Sequence, residues 1–162
     1  MNRRDVAERA ADMRRAFDAT FARAPETSSA RTEDFLLVHV AGDPFAMRVA
    51  DFARVAGAPK IVAVPSRSAT VIGVASMRGA IVSVHSLARL LGYDAPLDGA
   101  RWIALARAAD TIGFAFAALD RFARVESTEE RVLVTDGVAR PIVDVAALVA
   151  KIKAYEKTRR EA

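Results

Sequence analysis

His39 and His85 are the only imidazoles in this 162-residue chain, and cysteine is absent. Imidazole and thiolate are the side chains best suited to proton transfer, metal binding and nucleophilic attack near neutral pH. Their scarcity therefore narrows the available chemistry. His39 and His85 fall in separate apolar segments, and neither belongs to an H-E-x-x-H or similar ligand spacing. A lone histidine in such a segment is more often a satisfied or exposed side chain than a metal ligand. Glu129-Glu130 places two carboxylates side by side in a polar stretch, where solvated charge is commoner than a general acid and base. The eight glycines form no G-x-x-x-x-G-K-[ST], G-x-G-x-x-G or G-x-S-x-G motif, so no phosphate-cradling loop or nucleophile elbow is expected. These residues point to a protein that is not an enzyme, with no catalytic residues, no metal and no cofactor.

Composition agrees with an ordinary globular protein: 52% of residues are hydrophobic and 27% charged. A chain of this length buries roughly 70% of its unfolded surface and needs no disulfide or metal to hold a core. The longest near-apolar run, residues 112–119, is far short of the ~20 residues that a bilayer helix requires. Residues 1–23 alternate arginine with Asp5, Glu8, Asp12 and Asp18, which fits neither a secretory signal nor a transit peptide. A cytoplasmic protein without direct membrane insertion is expected. Residues 35–92 hold six basic and two acidic side chains, residues 93–150 six and nine, and residues 151–162 five and two. Only Lys60 represents lysine before residue 151. A nucleic-acid binder usually gathers Lys and Arg on one face with aromatics between them, so the pI near 9.9 reads better as a polar body with a basic tail.

Elements that could position these side chains follow from hydrophobic period. Val6, Ala10, Met13, Phe17 and Phe21 mark an amphipathic helix ended by Pro25, and residues 26–33 read as a polar connector. Its apolar stripe either caps the protein's own core or docks on a partner. From Phe35 the period becomes two. Residues 35–40 form an expected strand, Gly42-Asp43-Pro44 a turn, and Phe45, Met47 and Val49 one face of the next strand, opposite Ala46 and Arg48. Further strands are expected over residues 60–64 (closed by Pro65), 80–84, 101–107 and 111–119, the last two forming a hairpin around Ala109-Asp110. Many short strands punctuated by Gly and Pro indicate small β-barrels.

A faint internal repeat supports two such units. Phe-Ala-Arg-Val at residues 52–55 recurs unchanged 70 positions later, within a longer echo of residues 45–55 by 114–125. Ser83-Val84-His85-Ser86-Leu87 is echoed by Pro141-Ile142-Val143-Asp144-Val145, 58 positions apart, so the second unit has the shorter connection. A short helical segment follows each echo. Ser86 can N-cap the segment stopped by Gly92, and Asp144 can cap a helix running through Leu148 and Ile152 into the basic end.

Residues 71–87, VIGVASMRGAIVSVHSL, preceded by Pro65 and followed by Leu91-Gly92, carry a G-x-x-x-x-R-G pattern from Gly73 to Gly79. This stretch resembles the signature of CheW-like chemotaxis coupling domains, and the resemblance covers about residues 34–149. It implies a mainly β fold of two five-stranded SH3-like barrels, the second trimmed, with subdomains at about 34–92 and 93–150 whose strands can be exchanged. The N-terminal helix and connector over residues 1–33 and the basic tail over residues 151–162 would flank this domain. The resemblance also implies a non-enzymatic adaptor between chemoreceptor tips and the regulatory domain of a CheA-type histidine kinase, recruited to receptor arrays in a motility pathway. By resemblance, Arg78 and Gly79 lie in the receptor-engaging groove, with Met77, Val49 and Val74 as its apolar surround; Gly73, Ser86, Gly92 and Asp144 are expected turn or cap residues. Ser83 and Ser86 stand where the family usually has Pro and Asp, His85 replaces an apolar residue, and the stretch from Val125 to Pro141 is shorter than usual. Two alternatives remain: a small-barrel nucleic-acid module, and a ligand-binding or accessory subunit.

Overall fold

A computed structural model describes residues 31–57, 60–127 and 129–161. The expected N-terminal amphipathic helix lies outside these residues. Eleven strands and two α-helices occur among them. The first strand, β1 (Thr32–Val40), pairs antiparallel with both β2 (Asp43–Arg48) and β9 (Ala118–Glu126), giving a three-stranded sheet. A six-stranded sheet has the order β3 (Phe52–Gly57), β7 (Trp102–Ala106), β8 (Ile112–Phe116), β6 (Ala80–Ser86), β5 (Val71–Met77), β4 (Ile61–Val62). Its β6–β8 pairing is parallel and the others antiparallel. The hairpin of β10 (Val132–Thr135) and β11 (Val138–Pro141) is tied to β2 by a bridge between Ala46 and Ile142.

Two corners carry the chain from one sheet to the other. A 3-10 turn at Val49–Asp51 leads from β2 to β3, and Ala117 separates β8 from β9. The longer echo, residues 45–55 and 114–125, spans one corner in each copy, so the repeat marks two reciprocal crossovers. Arg107 clamps the first: its Nε donates to the Ala50 carbonyl at 2.8 Å, its Nη2 to Phe52 at 2.7 Å, and its backbone N to Asp51 at 2.8 Å. The expected continuous strand over residues 111–119 therefore breaks at Ala117.

Three apolar clusters follow from this topology. Leu36, Val38 and Met47 on one side of the three-stranded sheet meet Phe52, Phe114 and Ala104 of the six-stranded sheet in the central core. Phe35, Leu37 and Ala46 on its opposite side pack with Ala123 and Leu133. Both faces of β2 are thus covered, because the β10–β11 hairpin shields the face where alternation placed Ala46 and Arg48 opposite the apolar one. The third cluster sits within the six-stranded sheet and takes Ala75, Met77, Val82 and Ile103, with Ala56 of β3 and Ile61 of β4 packed against it. Opposite edges of that sheet contribute to one cluster, so the sheet curls upon itself.

It does not close. No ladder joins β3 to β4 and none joins β9 to β10, so two closed SH3-like barrels are not formed among the described residues. The physical reason lies in β4, which is two residues long where a strand through residue 64 was expected. Pro65 lacks an N–H, and Ala63 and Val64 are exposed, so the edge has no further backbone to offer a ladder. The stretch between Val125 and Pro141 retains a complete hairpin. Its turn, Asp136-Gly137, has positive φ at both residues, as the tight two-residue connection requires.

The first helix, α1 (Leu87–Leu90), and the second, α2 (Val145–Glu161), each follow a capping residue. Ser86 Oγ accepts from Arg89 N at 3.3 Å, and Asp144 Oδ1 from Ala147 N at 2.9 Å. Gly92, at φ +93°, supplies the left-handed residue after α1. Val145, Leu148, Val149 and Ile152 are spaced at three and four, and they bury one face of α2 in the central core. The helix continues without interruption past residue 151, and residues 153–160 of the basic tail are its exposed outer part.

Candidate functional site

Arg78 and Gly79 form the whole loop between β5 and β6, because Met77 and Ala80 are the last paired residues. Both loop residues have positive φ, +54° and +79°. Two-residue hairpins favour this geometry because its twist matches that of the flanking strands, and they usually place Asn-Gly or Gly-Gly there. An arginine in the left-handed region costs about 1 kcal/mol or more relative to a glycine. Arg78 is exposed at the tip, and the space around Gly79 is open.

The outer face of the sheet leads up to this tip. Cross-strand pairing sets Val62 beside Val74, Val74 beside Ser83 and Ser76 beside Ile81, so these side chains share one face. Ile81 is 72% exposed and Val62 54% exposed, with Val74 half-buried between them. An uncovered apolar strip thus runs beside a cationic turn. Gly73 makes room for it: a Cβ there would collide with the Val62 carbonyl, so only glycine lets β4 lie against β5 at the bulge between Val71 and Gly73.

The structure groups the expected receptor-facing residues only in part. Arg78, Gly79 and Val74 belong to one hairpin and its outer face. Met77 is buried and points to the opposite side, into the curled sheet's own cluster. Val49 sits at the β2–β3 corner and packs against the central core. Sequence reasoning missed Val62 and Ile81. The signal was present for Ile81, which alternates with Val82 and Val84 and so must face away from whatever buries them.

His85 and His39 have different surroundings. His85 is 3% exposed, and burial lowers its pKa from 6.5 to about 4. Ser83 Oγ donates to the Thr111 carbonyl at 3.1 Å, so it accepts from His85 Nε2 at 3.3 Å. That leaves Nδ1 as an acceptor for Thr70 Oγ1 at 3.2 Å, and Thr70 in turn accepts from Ser68 Oγ at 3.0 Å. The neutral ring joins a one-way chain of hydrogen bonds from a loop to a strand end. His39 Nδ1 lies 2.8 Å from Asp120 Oδ1, whose other oxygen is 3.3 Å from Arg140 Nη2. No three His, Cys, Asp or Glu among the described residues are placed to hold a metal ion. None of the described helices is long and apolar enough to cross a membrane.

Comparison with known families decides what this arrangement belongs to. The model of the CheW-like domain matches residues 34–141, two-thirds of the chain. The chain belongs to the CheW-like domain family. A solved structure of similar fold is that of the scaffolding protein TtCheW from Thermoanaerobacter tengcongensis, with a TM-score of 0.59 at 15% identity. The match covers 69% of this chain and 88% of that one, and at this identity the likeness is one of fold. Curated protein sequences yield no match. In this CheW-like domain the G-x-x-x-x-R-G pattern is therefore a bulged strand and the tight turn that ends it. Helix α2 begins at Val145, beyond the matched residues.

Proposed function

We propose that this CheW-like domain is a non-enzymatic adaptor of a chemotaxis-type signalling assembly, coupling a chemoreceptor tip to the regulatory domain of a CheA-type kinase. The observation that carries the receptor contact is Arg78, held at positive φ on the hairpin tip beside the strip of Val62, Val74 and Ile81. Residues kept in unfavourable backbone regions cluster at functional sites. The guanidinium fork can hold a carboxylate or a pair of backbone carbonyls on a receptor helix, while the strip receives that helix's apolar side. Membership of the family and the TtCheW-like fold support an adaptor role.

One substitution separates function from folding. Arg78→Asn creates an Asn-Gly turn, the commonest pair for this geometry, so stability is expected to hold or rise by a few tenths of a kcal/mol. Loss of a hot-spot arginine typically costs about 2 kcal/mol of binding, roughly thirtyfold in affinity. Arg78→Asn should therefore melt at or above the wild-type temperature and bind a receptor-tip fragment about thirtyfold more weakly. Its affinity for the kinase regulatory domain should be unchanged. Equal loss for both partners, or none for the receptor tip, would count against this assignment of the turn.

A further inference from the structure

A cleft of about 420 Å³ opens between the loop at residues 66–70, the end of β6 and the outer half of α2. It lies in part beyond the family match, since α2 starts after residue 141. Its size falls within the range of small-molecule sites. Arg67 stands on the loop side, and Lys151 and Arg159 on the helix side. Glu156 is the one carboxylate among the lining residues, and none of the three cations forms an ion pair among the described residues. Cations that converge on a concave wall focus a positive potential into it.

Hydroxyls and an aromatic ring complete the lining. Ser66 Oγ accepts from Ser68 N at 3.1 Å, which leaves the Ser66 proton available to an acceptor in the cleft. The chain through Ser68, Thr70 and His85 anchors this loop to β6, so the loop is held in place before anything binds. The floor is apolar, with Leu90 and Ile152 each 5% exposed. Tyr155, 46% exposed, offers its ring at the helix side, a surface on which a planar group can stack.

We propose that this cleft binds a small phosphorylated ligand with an aromatic body, of the nucleoside phosphate class. The phosphate meets Arg67, Lys151 and Arg159, with Ser66 as donor, and the base lies on Tyr155 over the Leu90–Ile152 floor. Such a site would add a ligand input to a protein whose proposed role is coupling, and it stands whether or not the receptor contact does.

Calorimetric titration of the full chain tests it with ADP, adenosine and inorganic phosphate as probes. Saturable one-to-one binding of ADP is expected, with each partial ligand weaker. Arg159→Gln and Lys151→Gln should each weaken ADP about tenfold, as should Tyr155→Ala, while Arg101→Gln, an exposed cation outside the cleft, changes nothing. All the substituted residues lie at the surface, and a melting curve for each variant confirms folding. Absence of saturable ADP binding in the millimolar range overturns the proposal. So does tighter binding of a single-stranded oligonucleotide that Arg101→Gln weakens as much as Arg159→Gln, because the charge would then act as a diffuse polyanion surface.

Discussion

His85 stays uncharged at neutral pH because its ring is buried, with Thr70 giving a proton to Nδ1 and Ser83 taking one from Nε2. In the unfolded chain the same imidazole titrates near 6.5. As pH falls below that value, the unfolded state takes up a proton that the folded state refuses, so stability declines from about pH 6.5 and the loss is complete below about pH 4. The two pKa values correspond to about 3 kcal/mol across the window. Asp34 acts in the same sense but in a lower range. The hydrogen-bonded Arg124 guanidinium lowers its carboxyl pKa, so its contribution is present at neutral pH and fades only as pH drops below the ordinary 3.8. Denaturant titrations at about pH 7 and about pH 4.5 should show a marked drop for wild type and a much smaller one for His85→Leu. Leucine lowers the neutral-pH baseline as well, because Thr70 loses its acceptor. An unchanged pH slope in His85→Leu would place the acid sensitivity elsewhere.

Among elements, α2 is the one whose start and end obey different forces. Asp144 caps its first turn, and Val145, Leu148, Val149 and Ile152 tie that end into the central core. Beyond Ile152 every described side chain is exposed. Removing the cap in Asp144→Ala should cost about 1 kcal/mol, read as a lower denaturant midpoint, whereas Asp144→Asn should retain most of it. This helix was legible in the sequence, because a capping residue followed by apolar positions at three and four is a local signal. So were β1, β2 and the β7–β8 hairpin, where turn residues bracket short apolar runs, although the turn expected at Gly42-Asp43-Pro44 falls at Ala41-Gly42. Local signals fail where burial comes from a distant partner. Alternation separated Met47 from Ala46, yet the β10–β11 hairpin covers Ala46 from residues far along the chain. Val49 and Met77 could be placed near Arg78 only by resemblance, and each turned to a different core cluster. The cleft at α2 was invisible, since its cations come from a loop and a helix separated by most of the domain.

For the whole molecule, the two corners at Val49–Asp51 and Ala117 decide how the parts depend on each other. Each of the two larger sheets contains strands from both halves of the chain: β1 and β2 need β9, and β3 needs β7. The repeat signalled two related units, but a repeat in sequence does not say which copy donates which strand. Neither the stretch before residue 92 nor the stretch after it owns either of the larger sheets, so a single cooperative transition is expected. Residues 34–92 alone should remain unfolded by circular dichroism and amide exchange, as should residues 93–150. Mixing the two fragments should restore the sheet signal. Independent folding of either would mean that the crossovers are dispensable.

The interlocked corners also have a mechanical meaning. A body whose halves merely touched would yield like a hinge when tugged from opposite sides, one half swinging while the other stayed put. Here a tug on either half is passed through β3 and β9 into strands belonging to the other. Stretched between residues 34 and 149, the protein should therefore lengthen in one rupture, without a half-extended plateau. A component clasped in this way behaves as a stiff spacer: what is displaced at one end arrives at the other.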